Sequence, residues 1–238
     1  SDLPKKLRAE LGEAFVFWTM TEAARQVSEN GTQKLLLELH DGDRIECVLL
    51  RDDRGHRTVC ISTQVGCAMG CVFCASGLDG VRRNLTSGEI LEQVLRFKSL
   101  LPAEERLSHV VVMGMGEPLA NLEALLRALR VVTSPDGFGI SARRVTISTV
   151  GLPPAIRRLA ESCVQYHLAV SLHAPNDPLR NEIVPANRKI GIQSILEATD
   201  DYFATTGRRV TFEYVLLADV NDGDQNARQL ASLLKGRP

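Results

Sequence analysis

The chain has 238 residues, of which 44% are hydrophobic, and a formal net charge of −1 at pH 7. This apolar content is enough for a full hydrophobic core, in one large domain or in a domain with an extension. No apolar run approaches the ~18 residues that a membrane-spanning helix needs, so we expect no membrane association, and the near-neutral charge gives no global sign of nucleic-acid binding.

The N-terminal part of the sequence predicts a short helix followed by antiparallel strands. Residues 2–12 have a helical pattern with a proline in the first turn. Glycine-containing turns then separate two short apolar segments, 34–40 and 44–50, as in β-hairpins. We expect an antiparallel meander over 22–62, whose last strand, 57–63, leads into a cysteine-rich loop.

After this loop, predicted strands and helices alternate. Thr86, with Glu89 three residues later, forms a capping box that starts the first helix. Alternation of this kind indicates βα units around a parallel sheet, either curled into a partial barrel or doubly wound, and periodicity does not separate the two. The expected strands are 57–63, 109–113, 144–148, 166–172 and 209–217; the expected helices are 86–101, 122–132, 153–162, 192–204 and 226–234, with an irregular connection over 175–190.

In both architectures the ligand site lies at the carboxyl ends of the strands. Each of these positions also has an ordinary structural explanation, such as a tight turn, a core histidine or a helix cap. Their common placement at one rim favours an enzyme over a scaffold. The residues at these ends are the cysteine loop, the glycine-rich loop 114–118, Ser148, Ser171 to His173, and Asn221.

Three cysteines, Cys67, Cys71 and Cys74, have the spacing C-x3-C-x2-C with no fourth cysteine nearby. Iron–sulfur cubanes usually have four thiolate ligands, so three would leave one iron open to another ligand. Structural zinc is an alternative, but it prefers four closed ligands, and no histidine lies at a zinc-finger spacing. A disulfide framework is disfavoured by the uneven spacing and the lack of an export signal, which together indicate the reducing cytoplasm.

The cysteine spacing resembles the radical S-adenosylmethionine (SAM) signature, and its surroundings resemble the RlmN and Cfr family of RNA adenine methyltransferases. The similarity covers almost the whole chain. It is carried by the stretches 60–76, 83–86, 114–119, 171–174 and 214–222.

This resemblance implies a partial (β/α) TIM-type barrel of the radical SAM kind over 57–238, preceded by a helix and β extension over 1–56. It also implies a [4Fe–4S] cluster held by Cys67, Cys71 and Cys74, with SAM on the open iron. Gly116 and Glu117 would bind the methionine end of SAM. The other positions that match SAM-binding residues of the family are Ser148, Ser171, Leu172, His173 and Asn221.

In this family the radical made from SAM activates a methyl group carried by a cysteine near the C-terminus. That methyl group is added to adenine C2 in RlmN-like enzymes and to C8 in Cfr-like enzymes. Cys60 matches the resolving cysteine that releases the product, and Glu46 resembles the proton acceptor. The chain stops before the expected sixth strand, so we expect it to be the central portion of a longer enzyme, in which Cys163 matches nothing catalytic.

The resemblance therefore predicts methylation of C2 of an adenine in 23S rRNA, and in tRNA, by a cytoplasmic monomer that takes electrons from a flavodoxin or ferredoxin. The alternatives are C8 methylation, a radical SAM enzyme with a non-RNA substrate, and a metal module without enzymatic activity. Arg82 and Arg83, next to the cluster loop, are expected to face RNA, because arginine contacts phosphates.

Overall fold

The computed structural model describes residues 3–162 and 164–237 of the chain, so Cys163 lies outside the described residues. The helices are α1 (Lys5–Ala14), α2 (Ser87–Leu100), α3 (Leu122–Thr133), α4 (Pro153–Glu161), α5 (Asp177–Ile183), α6 (Ile192–Thr206) and α7 (Asp224–Leu234). The strands are β1 (Thr21–Val27), β2 (Gln33–Glu38), β3 (Arg44–Arg51), β4 (Arg57–Cys60), β5 (Gln64–Gly66), β6 (Val81–Asn84), β7 (His109–Val112), β8 (Val145–Thr149), β9 (His167–Ser171) and β10 (Val210–Glu213).

Eight strands form one sheet in the order β1-β2-β3-β4-β7-β8-β9-β10, and β5 pairs separately with β6. The first four strands pair antiparallel, which confirms the predicted meander, and the pairs from β4 to β10 are parallel. The parallel strands follow one another in space as they do in sequence. Crossovers of one hand then place all helices on one side, as in a partial barrel, whereas the strand order of a doubly wound sheet reverses. The predicted barrel is therefore confirmed.

The core lies between this sheet and the crossover helices. Val110 and Val112 of β7 are fully buried, while the intervening Val111 faces the other, concave side and is only half-buried. Residues of the meander such as Leu35 and Ile45 belong to the same apolar cluster. The expected division at residue 56 thus falls within one sheet and one core, as a change from antiparallel to parallel pairing.

The capping box at the start of α2 is confirmed. The Thr86 hydroxyl accepts a hydrogen bond from the Glu89 backbone N–H at 3.2 Å, and the Glu89 carboxylate accepts one from the Thr86 N–H at 2.8 Å. Both interactions satisfy donors that a helix start would otherwise leave unpaired.

Two predicted strands are shorter than expected. The strand predicted over 57–63 ends at Cys60: the Ile61 N–H still donates to the Val111 carbonyl, but the Ser62 N–H donates to the Gln93 side chain. The strand predicted over 209–217 ends at Glu213, and the Val215 N–H donates to the His173 ring. In both segments a side chain takes over one of the backbone hydrogen bonds that a longer strand would form.

The prediction of an irregular connection over 175–190 was wrong. This segment contains α5 and a 3-10 helix, Pro185–Lys189. Asn176 starts α5, since its side chain accepts a hydrogen bond from the Leu179 N–H at 3.0 Å. Asn121 directly precedes α3, but its side chain does not cap this helix: its amide donates instead to the carbonyls of Thr63 and Leu85.

Among the described residues, every helix is too short or too polar to cross a lipid bilayer.

Candidate functional site

A cavity of about 260 Å³ opens at the carboxyl ends of the parallel strands, beneath the cysteine loop. This is the rim at which the sequence places its conspicuous residues. Eight of the predicted site residues line the cavity: Cys67, Cys71, Cys74, Gly116, Glu117, Ser148, Ser171 and His173.

The cysteine loop is anchored at both sides of the cavity. The Cys67 N–H donates to the Gly80 carbonyl at 2.9 Å, and the Val72 N–H donates to the Ile183 carbonyl, at the end of α5, at 3.0 Å. Met69 and Cys71 pack against the apolar cluster that contains Ile183. The loop is therefore held in place by backbone hydrogen bonds and by the packing of Met69 and Cys71.

The three thiols of this loop lie close enough to affect one another. Burial, together with the neighbouring Cys67 and Cys74, raises the pKa of Cys71 to about 11. Burial also raises the pKa of Cys67. All three are free cysteines, so a metal that binds here would displace protons from them.

The arrangement of these thiols fits an iron–sulfur cluster better than zinc. In the part of the chain that the structure describes, no three His, Cys, Asp or Glu side chains converge to hold one metal ion. Structural zinc requires such convergence. The thiolates of a cubane bind different irons and so surround a larger group, which agrees with three separate thiols on the wall of one cavity.

Glu117 is a buried carboxylate at the edge of the cavity. Its oxygens accept hydrogen bonds from the N–H groups of Leu119 at 3.0 Å and Val150 at 2.9 Å. Burial raises its pKa, although the hydrogen bonds from Val150, Thr149 and Leu119 oppose this shift. A positively charged ligand group, such as an amino acid ammonium, would complement this carboxylate.

The glycine-rich loop lies directly against the segment that precedes the cysteines. Gly116 has a φ of +100°, and a Cβ atom there would come within 2.6 Å of the Gln64 side chain. At Gly114 a Cβ atom would come within 2.6 Å of the Ser62 hydroxyl. Both positions therefore require glycine, which leaves the backbone of this loop open towards the cavity.

Ser148 and Ser171 end adjacent strands, and both contact a residue that the sequence analysis missed. The Glu213 carboxylate, at the end of β10, accepts a hydrogen bond from Ser148 at 3.0 Å and lies 3.3 Å from the Ser171 hydroxyl. Glu213 also lines the cavity. Only its place at the carboxyl end of a parallel strand could have identified Glu213 in the sequence. The strand was predicted to run to residue 217, so Glu213 was not expected at its end.

His173 is held in an unusual backbone conformation, with a φ of +59°. Its Nδ1 accepts a hydrogen bond from the Val215 N–H at 3.1 Å, and its ring packs edge-on against Phe73 with centroids 4.8 Å apart. Burial, together with the positive charge of Arg180, lowers the pKa of His173 to about 4. The imidazole is therefore neutral at pH 7 and links β9 to the cysteine loop.

Arg180, on α5, is a second residue that the sequence analysis missed. It is fully buried, and its guanidinium donates to the carbonyls of Leu172, Val150 and Ser171 and to the side chain of Asn187. These acceptors lie at the ends of two strands and in the 3-10 helix. One cation thus organises three loops around the site, a role that no local sequence pattern announces.

Leu172 and Asn221 do not line the cavity. The Leu172 side chain packs away from it, against Ile192 and Leu196 of α6. The Asn221 amide donates to the carbonyls of His173 and Val215, and its oxygen accepts from the Leu217 N–H. The structure therefore gives both residues a supporting position, and their contact with SAM stays a prediction.

Glu46 and Cys60 lie on the concave face of the sheet. Cys60 pairs with Val48 of β3, and since residues two apart on a strand share a face, Glu46 lies on the same side as Cys60. The Glu46 carboxylate is half-exposed and forms a 3.0 Å ion pair with Lys34 of β2. Burial raises the pKa of the Cys60 thiol. Their catalytic roles stay predictions.

The expectation that Arg83 faces RNA does not agree with its contacts. Its guanidinium binds Asp41 at 2.5 Å and both oxygens of the Glu89 carboxylate at 3.0 and 2.9 Å. Through these bonds Arg83 holds β6 against α2, and its guanidinium is already occupied by protein carboxylates. Arg82 is exposed and forms a 2.8 Å ion pair with Asp43, so only Arg82 of this pair is available to a partner.

Residues 61–231 match the Radical SAM superfamily. The chain is 65% identical to a "probable dual-specificity RNA methyltransferase RlmN" of Rhodopirellula baltica, over 100% of this chain and 64% of that protein. It is 47% identical to a ribosomal RNA large subunit methyltransferase N of Nitrosopumilus maritimus, over 98% of this chain and 69% of that protein.

The chain is also similar to solved structures. A radical SAM methyltransferase from Sphaerobacter thermophilus superposes with a TM-score of 0.92 at 47% identity, over 99% of this chain and 70% of that one. A spore photoproduct lyase variant, at 14% identity and a TM-score of 0.52 over 80% of this chain and 56% of that one, shares the fold.

The chain belongs to the radical SAM superfamily and, within it, to the RlmN family. The superfamily implies a [4Fe–4S] cluster and SAM as cofactors, in agreement with the three thiols and the buried carboxylate of the cavity. The chain spans about two thirds of the length of the curated relatives it matches, 64% and 65% for two of them.

Proposed function

We propose that a protein containing this chain is a radical SAM methyltransferase that methylates C2 of an adenine in 23S rRNA, and in tRNA, through a methyl-cysteine intermediate. The observation that carries this proposal is the joint placement of three free thiols, a buried carboxylate and two strand-end serines around one cavity, in a chain that is 65% identical to a protein named as a dual-specificity RNA methyltransferase.

In this proposal Cys67, Cys71 and Cys74 hold the [4Fe–4S] cluster, which when bound supplies the electron that cleaves SAM. Glu117 and the backbone of Gly116 bind the amino acid end of SAM. Ser148, Ser171 and His173 orient the rest of SAM, while Leu172 and Asn221 support these residues through the packing and hydrogen bonds described above.

Cys60 and Glu46 act on the RNA side of the reaction. The methyl group is carried by a cysteine outside this chain, and Cys60 forms the disulfide with that cysteine that releases the product. Glu46, poised by Lys34 at 3.0 Å, accepts the proton that leaves the adenine. Electrons come from a flavodoxin or ferredoxin, and the enzyme works in the cytoplasm as a monomer.

The test is anaerobic reconstitution of a protein of the relatives' full length with iron, sulfide, SAM and an rRNA fragment, followed by mass analysis of the adenines. We expect adenine methylated at C2. Methylation at C8 would instead favour the alternative within the family, and unmodified RNA from a protein that cleaves SAM would contradict the proposal.

A matched set of cysteine variants separates cluster binding from folding. Cys67→Ala, Cys71→Ala and Cys74→Ala should each lose the brown colour and bound iron of the reconstituted protein. Cys163→Ala, which changes a cysteine outside the motif, should retain both. Equal iron content in all four variants would contradict the assigned ligands.

A further inference from the structure

The basic pairs of the sequence differ in whether carboxylates neutralise them. Arg157 forms a 2.7 Å ion pair with Asp201, and Arg158 pairs with Glu123. These two arginines are therefore part of ordinary surface ion pairs, which contribute little to stability and leave no excess charge.

Arg143, Arg144 and Arg209 are different. All three are exposed, and none has a carboxylate within ion-pair distance among the residues that the structure describes. Arg144 directly precedes β8, and Arg209 directly precedes β10. They therefore lie at the amino-terminal edge of the parallel sheet, opposite the cavity.

The strand between them joins this group to a fourth arginine, Arg208, through a histidine. His167, the first residue of β9, contacts the Arg208 guanidinium, whose Nη2 lies 2.5 Å from the ring Nε2 and 3.0 Å from Nδ1. Its pKa is lowered by burial and by the charge of Arg208, while a hydrogen bond with the Arg143 backbone raises it. His167 thus connects the two pairs of arginines.

A second histidine, His109, lies beside these arginines at the start of β7. Val110 pairs with Val145, so the residues that precede them, His109 and Arg144, are neighbours. The pKa of His109 is lowered by burial, by His56 and by Arg144. Carboxylates near the start of β7 are already paired: Asp52 binds His56 at 2.7 Å, and Glu105 binds Arg57 at 2.8 Å. We define the basic rim as the arginines Arg143, Arg144, Arg208 and Arg209; the two histidines beside them add no charge to it, because burial lowers the pKa of both.

We propose that the basic rim contacts the phosphate backbone of the RNA substrate, at a distance from the reacting adenine. This inference rests on the proposed function, and it adds a second RNA-binding surface to the site already described. Guanidinium groups without protein partners are the groups that bind phosphates and release counterions.

RNA is favoured over a protein partner because of what the rim lacks. Protein interfaces have an apolar centre, and the large hydrophobic side chains exposed among the described residues do not lie in the segments 107–109, 141–144, 164–167 or 207–210. The five residues of β8 span about 17 Å, which separates the rim from the cavity. A folded stem-loop can cover both, whereas a mononucleotide cannot.

The experiment compares RNA affinity of the full-length protein and its triple variant Arg143→Gln, Arg144→Gln, Arg209→Gln by filter binding at several salt concentrations. Loss of up to three phosphate contacts should lower the slope of log K against log salt by roughly 2 and weaken binding at least about tenfold. The single variant Arg209→Gln should show about a third of the change in slope. Adenosine binding and SAM cleavage should be unchanged.

The matched control is Arg157→Gln, Arg158→Gln, which removes neutralised arginines from another surface and should leave RNA affinity within about twofold. Unchanged RNA affinity in a folded triple variant would overturn the basic rim while leaving the proposed function intact. An equal loss in the control would overturn it too, since net charge alone would then explain the effect. If the unmodified protein neither bound nor methylated RNA, both proposals would fail.

Discussion

Ser148 donates a 3.0 Å hydrogen bond to the carboxylate of Glu213, although the two residues are 65 positions apart. Ser171, on the strand between them, lies 3.3 Å from the same oxygen of Glu213. One carboxylate therefore joins the ends of three parallel strands at the wall of the cavity. Glu213 orients both serine hydroxyls. The proposed SAM site therefore depends on Glu213, which we expect to act through the two serines.

Replacing Glu213 by alanine should weaken SAM binding by about tenfold, equivalent to ~1.4 kcal/mol, because two hydroxyls lose a charged acceptor. Equilibrium dialysis with SAM on the reconstituted protein measures this. Glu123→Ala, which removes a surface carboxylate paired with Arg158, is the control and should bind SAM normally. Equal affinities for the two variants would show that Glu213 does not organise the site.

Arg180→Gln should destabilise the protein by roughly 3 kcal/mol or more, since it removes a buried cation and leaves strand-end carbonyls without donors. Urea unfolding of the metal-free protein gives this free energy. Arg188→Gln, an exposed arginine in the next segment, should change stability by less than about 0.5 kcal/mol. A fully stable Arg180→Gln protein would mean that the loops around the cavity are held by other contacts.

Gly116→Ala should abolish SAM binding with a smaller effect on folding. The new Cβ atom would lie 2.6 Å from the Gln64 side chain and 2.9 Å from its backbone nitrogen, so the loop must move. Gly42→Ala shares the positive φ, +84°, but meets no atom within 4 Å. It should cost only the backbone strain, about 1 kcal/mol, and leave SAM affinity unchanged. Isothermal titration of both variants distinguishes steric displacement from strain alone.

The stability of the protein should depend on Glu105 in a pH-dependent way. Arg57 and Arg51 hydrogen-bond its carboxylate and lower its pKa from 4.5 to about 2. A carboxylate whose pKa is lower in the folded state stabilises the fold above its unfolded pKa and loses that effect as the pH falls.

The difference in melting temperature between the unmodified protein and Glu105→Gln should therefore be constant from about pH 6 to 8 and shrink between about pH 4.5 and 2. Thermal unfolding monitored by circular dichroism gives both values. Glu104→Gln, an exposed neighbour, should show no such narrowing. A gap that persists at pH 2 would exclude ionisation of Glu105 as its cause.

The sequence predicted the parts of this molecule that local chemistry determines. The capping box at Thr86 and the five parallel strands depend on residues that are close together in the sequence. Both predictions were confirmed. The cysteine spacing located the cavity because three residues within eight positions stay close together in space in any fold. Arg180 and Glu213 escaped notice because their partners lie on other elements, and only the folded chain brings them together.

Side-chain amides show the same limit. Asn121 and Asn221 have the sequence context of helix caps, yet their amides bind the backbone of other segments. A capping preference is a local rule, and a buried amide is used wherever unpaired backbone groups require it. In both places the requirement came from loops around the cavity, which the sequence does not identify as partners.

Ser62 should couple the opening of the meander to the opening of the glycine-rich loop. Its hydroxyl donates to the Glu46 carbonyl at 2.6 Å and accepts from the Met115 N–H at 2.8 Å, so one buried group joins the meander to the glycine-rich loop. The Met115 amide can exchange its hydrogen with solvent only when this junction opens. The hydrogen-exchange rate of the Met115 amide should therefore follow that of the β3 amides. The glycine-rich loop and the meander should open as one cooperative unit.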